Sequence, residues 1–393
     1  MRKYFLICSV FFSVLFIGQA VDKTEVWGFY AHKLINQHAI YQLPSELVPT
    51  FKLHLEELRH FAIAPDQRRH SSPHEAVRHY MDLDHWGELP FDNVPRNYDE
   101  AVWKMADILL VLNNSTDTVD VKGESEFDKA FRDSLMSFFH QVIRYDEKGR
   151  DIFSIEEVTG VVQISGYLDV VQYDVLVFKN NLDEYGILPY HLLEYQNRLK
   201  WAFIERDIER IIRLAGEIGH YIGDAHVPLH TTVNYNGQLT GQDGIHAFWE
   251  TRIPELFAAS EYDFWVEPSK YIDDKETFFW DIVLESHKQV DDVLRIEREL
   301  KEDFPKDQQY CFDERLGVTQ RIECKEFARE YQLRMNGLVE KRMRDAITAI
   351  ASSWYSAWVD AGSPDLESEK IDFQLPADSL ENSRNSELMK QNK

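Results

Sequence analysis

The feature that most constrains the fold is a long stripe of apolar residues with helical spacing in the middle of the chain. No proline interrupts the sequence between Pro189 and Pro228, and apolar residues recur there every three or four positions, as on one face of an α-helix. The stripe consists of Ile204, Ile208, Ile211, Ala215, Ile218 and Ile222. This spacing predicts one continuous helix from Pro189 to Pro228, on the order of 55 Å long.

A second long helix is predicted from about Lys325 to Asp360, because Gly362 and Pro364 follow as typical helix-end signals. Most of the chain after Glu46 has the same helical periodicity. We therefore expect an all-α fold built from long helices.

One stretch departs from this pattern. Residues 152–177 are rich in β-branched and aromatic side chains, which is compatible with a small β-hairpin insertion. The chain has no internal repeat and no Gly/Ser-rich or Pro-rich linker, so we expect a single helical domain over residues 21–365. Residues 366–393 are polar, and we expect them to fray as a tail.

The first twenty residues have the composition of a secretory signal peptide. Arg2 and Lys3 precede a short apolar run at residues 5–17, and Gly18 and Ala20 supply the small residues that a signal peptidase recognises. No later run is long enough to cross a bilayer. We expect cleavage near Ala20 and a secreted or periplasmic protein.

Two of the three cysteines remain after that cleavage. In an exported protein, the pair Cys311 and Cys324 is typical of one disulfide, which would close a surface excursion at about residues 303–323. The alternative is two free buried thiols.

The formal net charge of −25 disfavours bulk binding to phosphate backbones. Chemistry on nucleic acid or phospholipid would therefore need a local positive site, such as bound metal. The 15 histidines are distributed unevenly: eight lie between His32 and His85, and four lie between His220 and His246. This clustering indicates a metal site.

The clearest metal-binding motif lies at the end of the predicted central helix. His220 and Asp224 are four residues apart, so an imidazole and a carboxylate share one helix face, and His230 follows. Three glycines crowd this helix end, which suggests that another segment packs close to the backbone. They are Gly216, Gly219 and Gly223. The alternative is that His220 and Asp224 belong to a solvated helix face.

Two further segments carry residues of the same types. His246 and Glu250 form a second helical pair after a turn-rich loop and could close a second cage. Upstream, Asp66 and Arg69 lie in a turn that connects two helices, and His79 follows. A proline, a carboxylate and two arginines are an unusual composition for a simple linker.

Taken together, these motifs resemble the superfamily of trinuclear zinc phosphodiesterases that contains bacterial zinc-dependent phospholipase C and the single-strand-specific nucleases of fungi and plants. The predicted long helices are similar to that family's all-α fold. The spacing from Trp27 to His32 resembles the nuclease branch, and residues 220–230 resemble the family's His-x3-Asp-x5-His signature. The closing residue, Glu250, resembles the phospholipase branch. The motifs therefore leave the choice of substrate open.

The resemblance implies two or three zinc ions per chain. The implied ligands are Asp66, His79, His220 and Asp224 for the first ion; His32 and the Trp27 backbone, bridged through Asp66 and Asp224, for the second; and His230, His246 and Glu250 for the third. The family's amine ligand is a mature N-terminal tryptophan, whereas residues 21–26 would precede Trp27 here. We therefore expect the zinc beside Trp27 to be held more weakly than the others.

The resemblance also implies a mechanism, in which zinc activates a hydroxide, Asp66 orients it for attack on phosphorus, and Arg69 lies near the phosphate. A surface ion pair is an equal alternative for Arg69. The predicted function is an exported zinc-dependent phosphodiesterase acting on phospholipids or single-stranded nucleic acid, with no obligate protein partner. The alternative is a non-catalytic, zinc-stapled helical binding protein. The open positions of an acid-bridged cluster favour the enzyme.

Overall fold

The computed structural model describes residues 29–69, 72–112, 117–122, 129–141, 152–161, 173–315 and 317–366, and the described chain is mainly helical. The helices are α1 (Phe29–Ile40), α2 (Val48–Leu53), α3 (Leu55–Phe61), α4 (Ala64–Arg69), α5 (Pro73–Ala76), α6 (Tyr98–Met105), α7 (Lys129–Gln141), α8 (Ile155–Val161), α9 (Leu182–Tyr185), α10 (Leu188–Glu205), α11 (Ile208–Ala225), α12 (Ile245–Ala247), α13 (Ile253–Glu261), α14 (Lys275–His287), α15 (Val290–Asp303), α16 (Lys325–Arg334) and α17 (Leu338–Asp360).

Helix α11 lies at the centre of the fold. It packs against α1, α3, α10 and α17, and nearly all of its residues from Ile211 to Ala225 are buried. Short 3-10 helices span Leu83–His85, Pro228–Thr231 and Lys306–Gln308. A π-helical turn at Phe248–Arg252 joins α12 to α13.

The predicted single helix from Pro189 to Pro228 is wrong in one respect, since it is broken into α10 and α11. Arg206 has a left-handed backbone with φ of 55°, and the side chain of Asp207 accepts a hydrogen bond from the backbone N–H of Arg210. An aspartate that caps free N–H groups favours a new helix start. The stripe is buried after the break, whereas Ile204 before it is 42% exposed.

The predicted helix from Lys325 to Asp360 is likewise two helices, α16 and α17. Asn336 and Gly337 both have positive φ, at 50° and 76°, and such a pair ends one helix before the next begins. The predicted end is confirmed, because α17 stops at Asp360 and Gly362 is left-handed with φ of 83°.

The expectation of a purely all-α fold is wrong, because the described chain contains a four-stranded antiparallel sheet of order β2-β1-β4-β3. Its strands are β1 (Asp107–Leu112), β2 (Thr118–Asp120), β3 (Ile152–Ser154) and β4 (Tyr173–Lys179). Leu110 and Leu176 are register partners on β1 and β4, and both are buried in the same core as the helices. Short apolar runs of this kind do not distinguish strand from helix by periodicity.

The predicted hairpin in residues 152–177 is confirmed in part. Strand β3 pairs antiparallel with β4, but helix α8 lies between them in the chain, and residues 162–172 are outside the described ranges.

The excursion near residues 303–323 contains a second, two-stranded sheet. Strands β5 (Tyr310–Arg315) and β6 (Val318–Glu323) pair antiparallel, and the predicted disulfide between Cys311 and Cys324 is confirmed. The alternative of two free thiols is therefore wrong.

Three predicted features at the ends of the chain lie outside the described residues. They are the signal peptide, Trp27 and the polar tail after Leu366. Among the helices that the structure describes, none is both long and apolar enough to cross a membrane.

Candidate metal centre

The last turns of α11 are buried on the face that carries His220 and Asp224, which are 0% and 1% exposed. The alternative that these two residues lie on a solvated face is therefore wrong.

The glycines of α11 explain how neighbouring helices come so close. A Cβ atom on Gly219 would lie 2.0 Å from Oδ1 of Asn36, and one on Gly223 would lie 2.8 Å from Nδ1 of His32. The prediction that a segment packs close to this backbone is confirmed.

Eight of the nine implied ligands belong to the described chain, and all eight meet beside the end of α11. Three groups of side chains each bring their ligand atoms within 4.8 Å of one another: His32, His220 and Asp224; Asp66, His79 and His220; and His230, His246 and Glu250. The ninth implied ligand, Trp27, is outside the described residues.

Asp224 joins the first two groups and touches the third. Its Oδ2 atom lies 2.9 Å from Nδ1 of His79 and 3.3 Å from Nε2 of His220. Its Oδ1 atom lies 3.3 Å from Nε2 of His32 and 3.9 Å from Nε2 of His230. One carboxylate therefore contacts four imidazoles.

Glu250 makes the second connection. Its Oε2 atom lies 2.8 Å from Nε2 of His246 and 3.4 Å from Nε2 of His230, as the implied third cage requires. Its Oε1 atom lies 3.1 Å from Nε2 of His32, a contact that the sequence did not indicate. The three groups are thus one continuous cluster.

The hydrogen bonds of two histidines fit a metal site. Nδ1 of His220 donates to the carbonyl oxygen of Ala62 at 2.9 Å, and Nδ1 of His230 donates to the carbonyl oxygen of His79 at 2.7 Å. A neutral imidazole that donates from Nδ1 presents a lone pair at Nε2. Both Nε2 atoms face the carboxylates of the cluster, which is how metal-binding histidines are usually oriented.

Burial and charge move the histidine pKa values in opposite directions. Burial lowers the pKa of His220 well below its usual value, so that ring is neutral. Burial also opposes the charge of His32, but the hydrogen bond to Glu250 and the charge of Asp224 raise its pKa to about 9. With only protein groups around it, His32 carries a proton at neutral pH. A metal bound there would have to displace that proton.

Asp66 and Arg69 lie on α4, at the more exposed side of the cluster. Oδ1 of Asp66 is 3.8 Å from both Nδ1 of His79 and Nε2 of His220, and its side chain is 22% exposed. Arg69 is exposed. Burial raises the pKa of Tyr80 to about 12, and the charge of nearby Arg69 opposes that rise. No ion pair holds Arg69 within the described parts of the chain, so the surface ion pair expected as an alternative is not found there.

His226 is not part of the cluster, as its position on the helix predicts. Its Nδ1 atom donates to the carbonyl oxygen of Ile222 at 2.7 Å.

Behind the cluster lies a buried polar layer that the sequence did not identify. This layer includes Asn36, Glu75 and Glu217. One signal was available, since Glu75 and His79 are spaced by four residues like the other pairs.

Donor chemistry decides which metal the cluster suits. Five imidazoles and three carboxylates are ligands that zinc prefers, and the described cluster contains no thiolate.

Comparison with known proteins gives no match, either to a family profile or to a curated protein.

Proposed function

We propose that this chain is an exported, zinc-dependent phosphodiesterase similar to the phospholipase C and single-strand nuclease superfamily. The observation that carries the proposal is the continuity of the cluster. Asp224 contacts histidines of all three ligand groups, and Glu250 connects the third group to His32. Carboxylates shared in this way are typical of multinuclear hydrolytic sites.

The residues on the exposed side have distinct roles in this proposal. Zinc bound to the cluster would supply Lewis acidity and an activated water. Asp66 has the most exposed of the three carboxylates, at 22% against 12% for Glu250 and 2% for Asp224. It can therefore accept a hydrogen bond from the attacking water. Arg69 can bind a phosphate oxygen, because it is exposed and near enough to the cluster for its charge to act on His230.

The second candidate is a zinc-stapled binding protein without catalysis. The burial of His79 and His220 favours it, since structural sites are closed to solvent. Asp66 and His246 oppose it, because both side chains are 22% exposed and leave that side of the cluster accessible. A structural zinc site that only holds helices together needs no side that is open to solvent.

Asp224→Asn tests the assignment. The amide keeps the shape but removes the charge shared by four histidines, so we expect loss of bound zinc and of phosphodiester hydrolysis. Zinc per chain is counted by elemental analysis after dialysis, and turnover is measured in parallel on phosphatidylcholine micelles, single-stranded DNA and RNA. The matched control is Asp291→Asn, which removes an exposed carboxylate from α15. A variant with full zinc and full turnover would contradict the ligand assignment. A wild type that binds zinc but hydrolyses none of these substrates would favour the staple.

A further inference from the structure

The layer behind the metal cluster contains two buried glutamates that share one arginine. Glu75 and Glu217 are 2% and 5% exposed. Arg68 lies 2.7 Å from Oε1 of Glu217 and 3.4 Å from Oε2 of Glu75. Arg68 is on α4, Glu75 on α5 and Glu217 on α11, so the layer ties together the segments that carry Asp66, His79 and Asp224.

Glu75 differs from Glu217 in what it faces. Its Oε2 atom also accepts a hydrogen bond from Arg78 at 2.9 Å, and its Oε1 atom accepts one from the Tyr221 hydroxyl. The same Oε1 atom lies 3.8 Å from Nε2 of His79. That buried nitrogen has no hydrogen-bond partner among the described residues. Glu217 is instead held by Arg68 and by the Tyr195 hydroxyl at 2.9 Å.

His79 therefore lies between two carboxylates that compete for its proton. Nδ1 is 2.9 Å from Oδ2 of Asp224 on the cluster side, and Nε2 faces Glu75 on the other side. A proton on Nδ1 would occupy the lone pair that a metal needs, whereas a proton on Nε2 leaves it free. Without a metal, the 2.9 Å contact to Asp224 and the 3.1 Å contact to the Nε2 lone pair of His220 favour the proton on Nδ1. A cation bound at Nδ1 would replace that proton, and the Glu75 carboxylate, 3.8 Å from Nε2, would then stabilise the N–H on the other nitrogen.

We propose that Glu75 is a positioning residue of the metal centre, which holds the His79 proton on Nε2 so that Nδ1 is available as a ligand. This rests on the metal-binding part of the proposed function and not on the choice of substrate. Contacts with Arg68, Arg78 and the Tyr221 hydroxyl hold the Glu75 carboxylate in place. Carboxylates that orient a ligand histidine in this way typically change metal affinity by about 10- to 100-fold.

Glu75→Gln removes the charge and nearly preserves the shape, and Glu217→Gln is the matched control in the same buried layer. Zinc affinity is measured by competition with a chromophoric chelator, and cobalt(II) spectra are recorded for each protein. We expect Glu75→Gln to lose about 10- to 100-fold in affinity and to change the cobalt spectrum, with Glu217→Gln within about threefold of wild type. Equal losses in the two variants, or no loss in Glu75→Gln, would overturn the proposal.

A second measurement needs no variant. In zinc-loaded wild type with labelled histidine, nitrogen NMR should show the His79 proton on Nε2, and a proton on Nδ1 would overturn the role of Glu75. Wild-type protein that binds no zinc would defeat the proposed function as well. Zinc binding without hydrolysis would leave the role of Glu75 supported while the enzyme assignment fails.

Discussion

Gly223→Ala tests whether the close approach of α1 to α11 is what places His32 in the cluster. The new Cβ atom would lie 2.8 Å from Nδ1 and 3.0 Å from Cε1 of the His32 ring, and 2.9 Å from Cδ1 of Ile35. All three distances are shorter than an ordinary carbon contact, so the imidazole must shift by several tenths of an ångström. Its Nε2 atom, which contacts Asp224 and Glu250, must shift with it.

Two effects on stability oppose each other. Replacing a glycine with alanine inside a helix favours folding by about 1 kcal/mol, whereas overpacking a core costs about 1–3 kcal/mol. We therefore expect the metal-free protein to lose between about 0 and 2 kcal/mol in free energy of unfolding. Ligand positions tolerate displacements of only about 0.5 Å, so zinc affinity should fall at least tenfold. The variant thus separates metal binding from stability.

Denaturant unfolding with excess chelator gives the stability, and a competition titration gives the zinc affinity. Gly160→Ala is the control, because Gly160 is an exposed residue of α8 with no atom within 4 Å of its added Cβ. It should gain up to about 1 kcal/mol and bind zinc like wild type. If Gly223→Ala keeps wild-type affinity, the contact between His32 and α11 does not set the ligand geometry, and the reasoning is refuted.

Two further predictions concern pH and the disulfide. In metal-free protein the pKa of His32 is raised to about 9. The stabilising effect of protonated His32 is therefore complete below about pH 6.5 and is lost as the pH rises towards 9. Denaturation midpoints should fall over that range, and a flat pH profile would contradict the shift in pKa. Replacing Cys311 and Cys324 together with serine should cost up to about 3 kcal/mol by releasing the loop between them. Zinc affinity should not change, because neither cysteine belongs to the cluster, and a loss of affinity would show that the hairpin supports the site.

The sequence identified the ligand types better than it identified the elements that carry them. His220 and Asp224 were found because a four-residue spacing on a helix fixes their relative positions, whatever surrounds the helix. The contact between Glu250 and His32 could not be found in that way, since 218 positions separate the two residues. Only the packing of α1 against the π-helical turn brings them together.

The helix breaks show why the element boundaries were missed. Apolar periodicity continues across Arg206, because Ile204 and Ile208 keep the helical spacing while the backbone between them turns. The side chain of Asp207 caps a new helix at this point, and the spacing of apolar residues carries no information about such capping. The sheet was missed for a related reason. Strand β1 is only six residues long, which is too short for its period to be distinguished from that of a buried helix.

Charge balance also favours a metal as part of the folded state. The cluster buries Asp224 almost completely and Glu250 and Asp66 to a large extent, and buried carboxylates need compensating positive charge. The described histidines supply this positive charge unevenly. The pKa of His32 is raised, whereas burial lowers the pKa of His220 well below its usual value. Divalent cations would supply the missing charge and would not require His220 to be protonated. Metal binding should then contribute to folding itself, so chelator should lower the denaturation midpoint of wild type far more than that of Asp224→Asn.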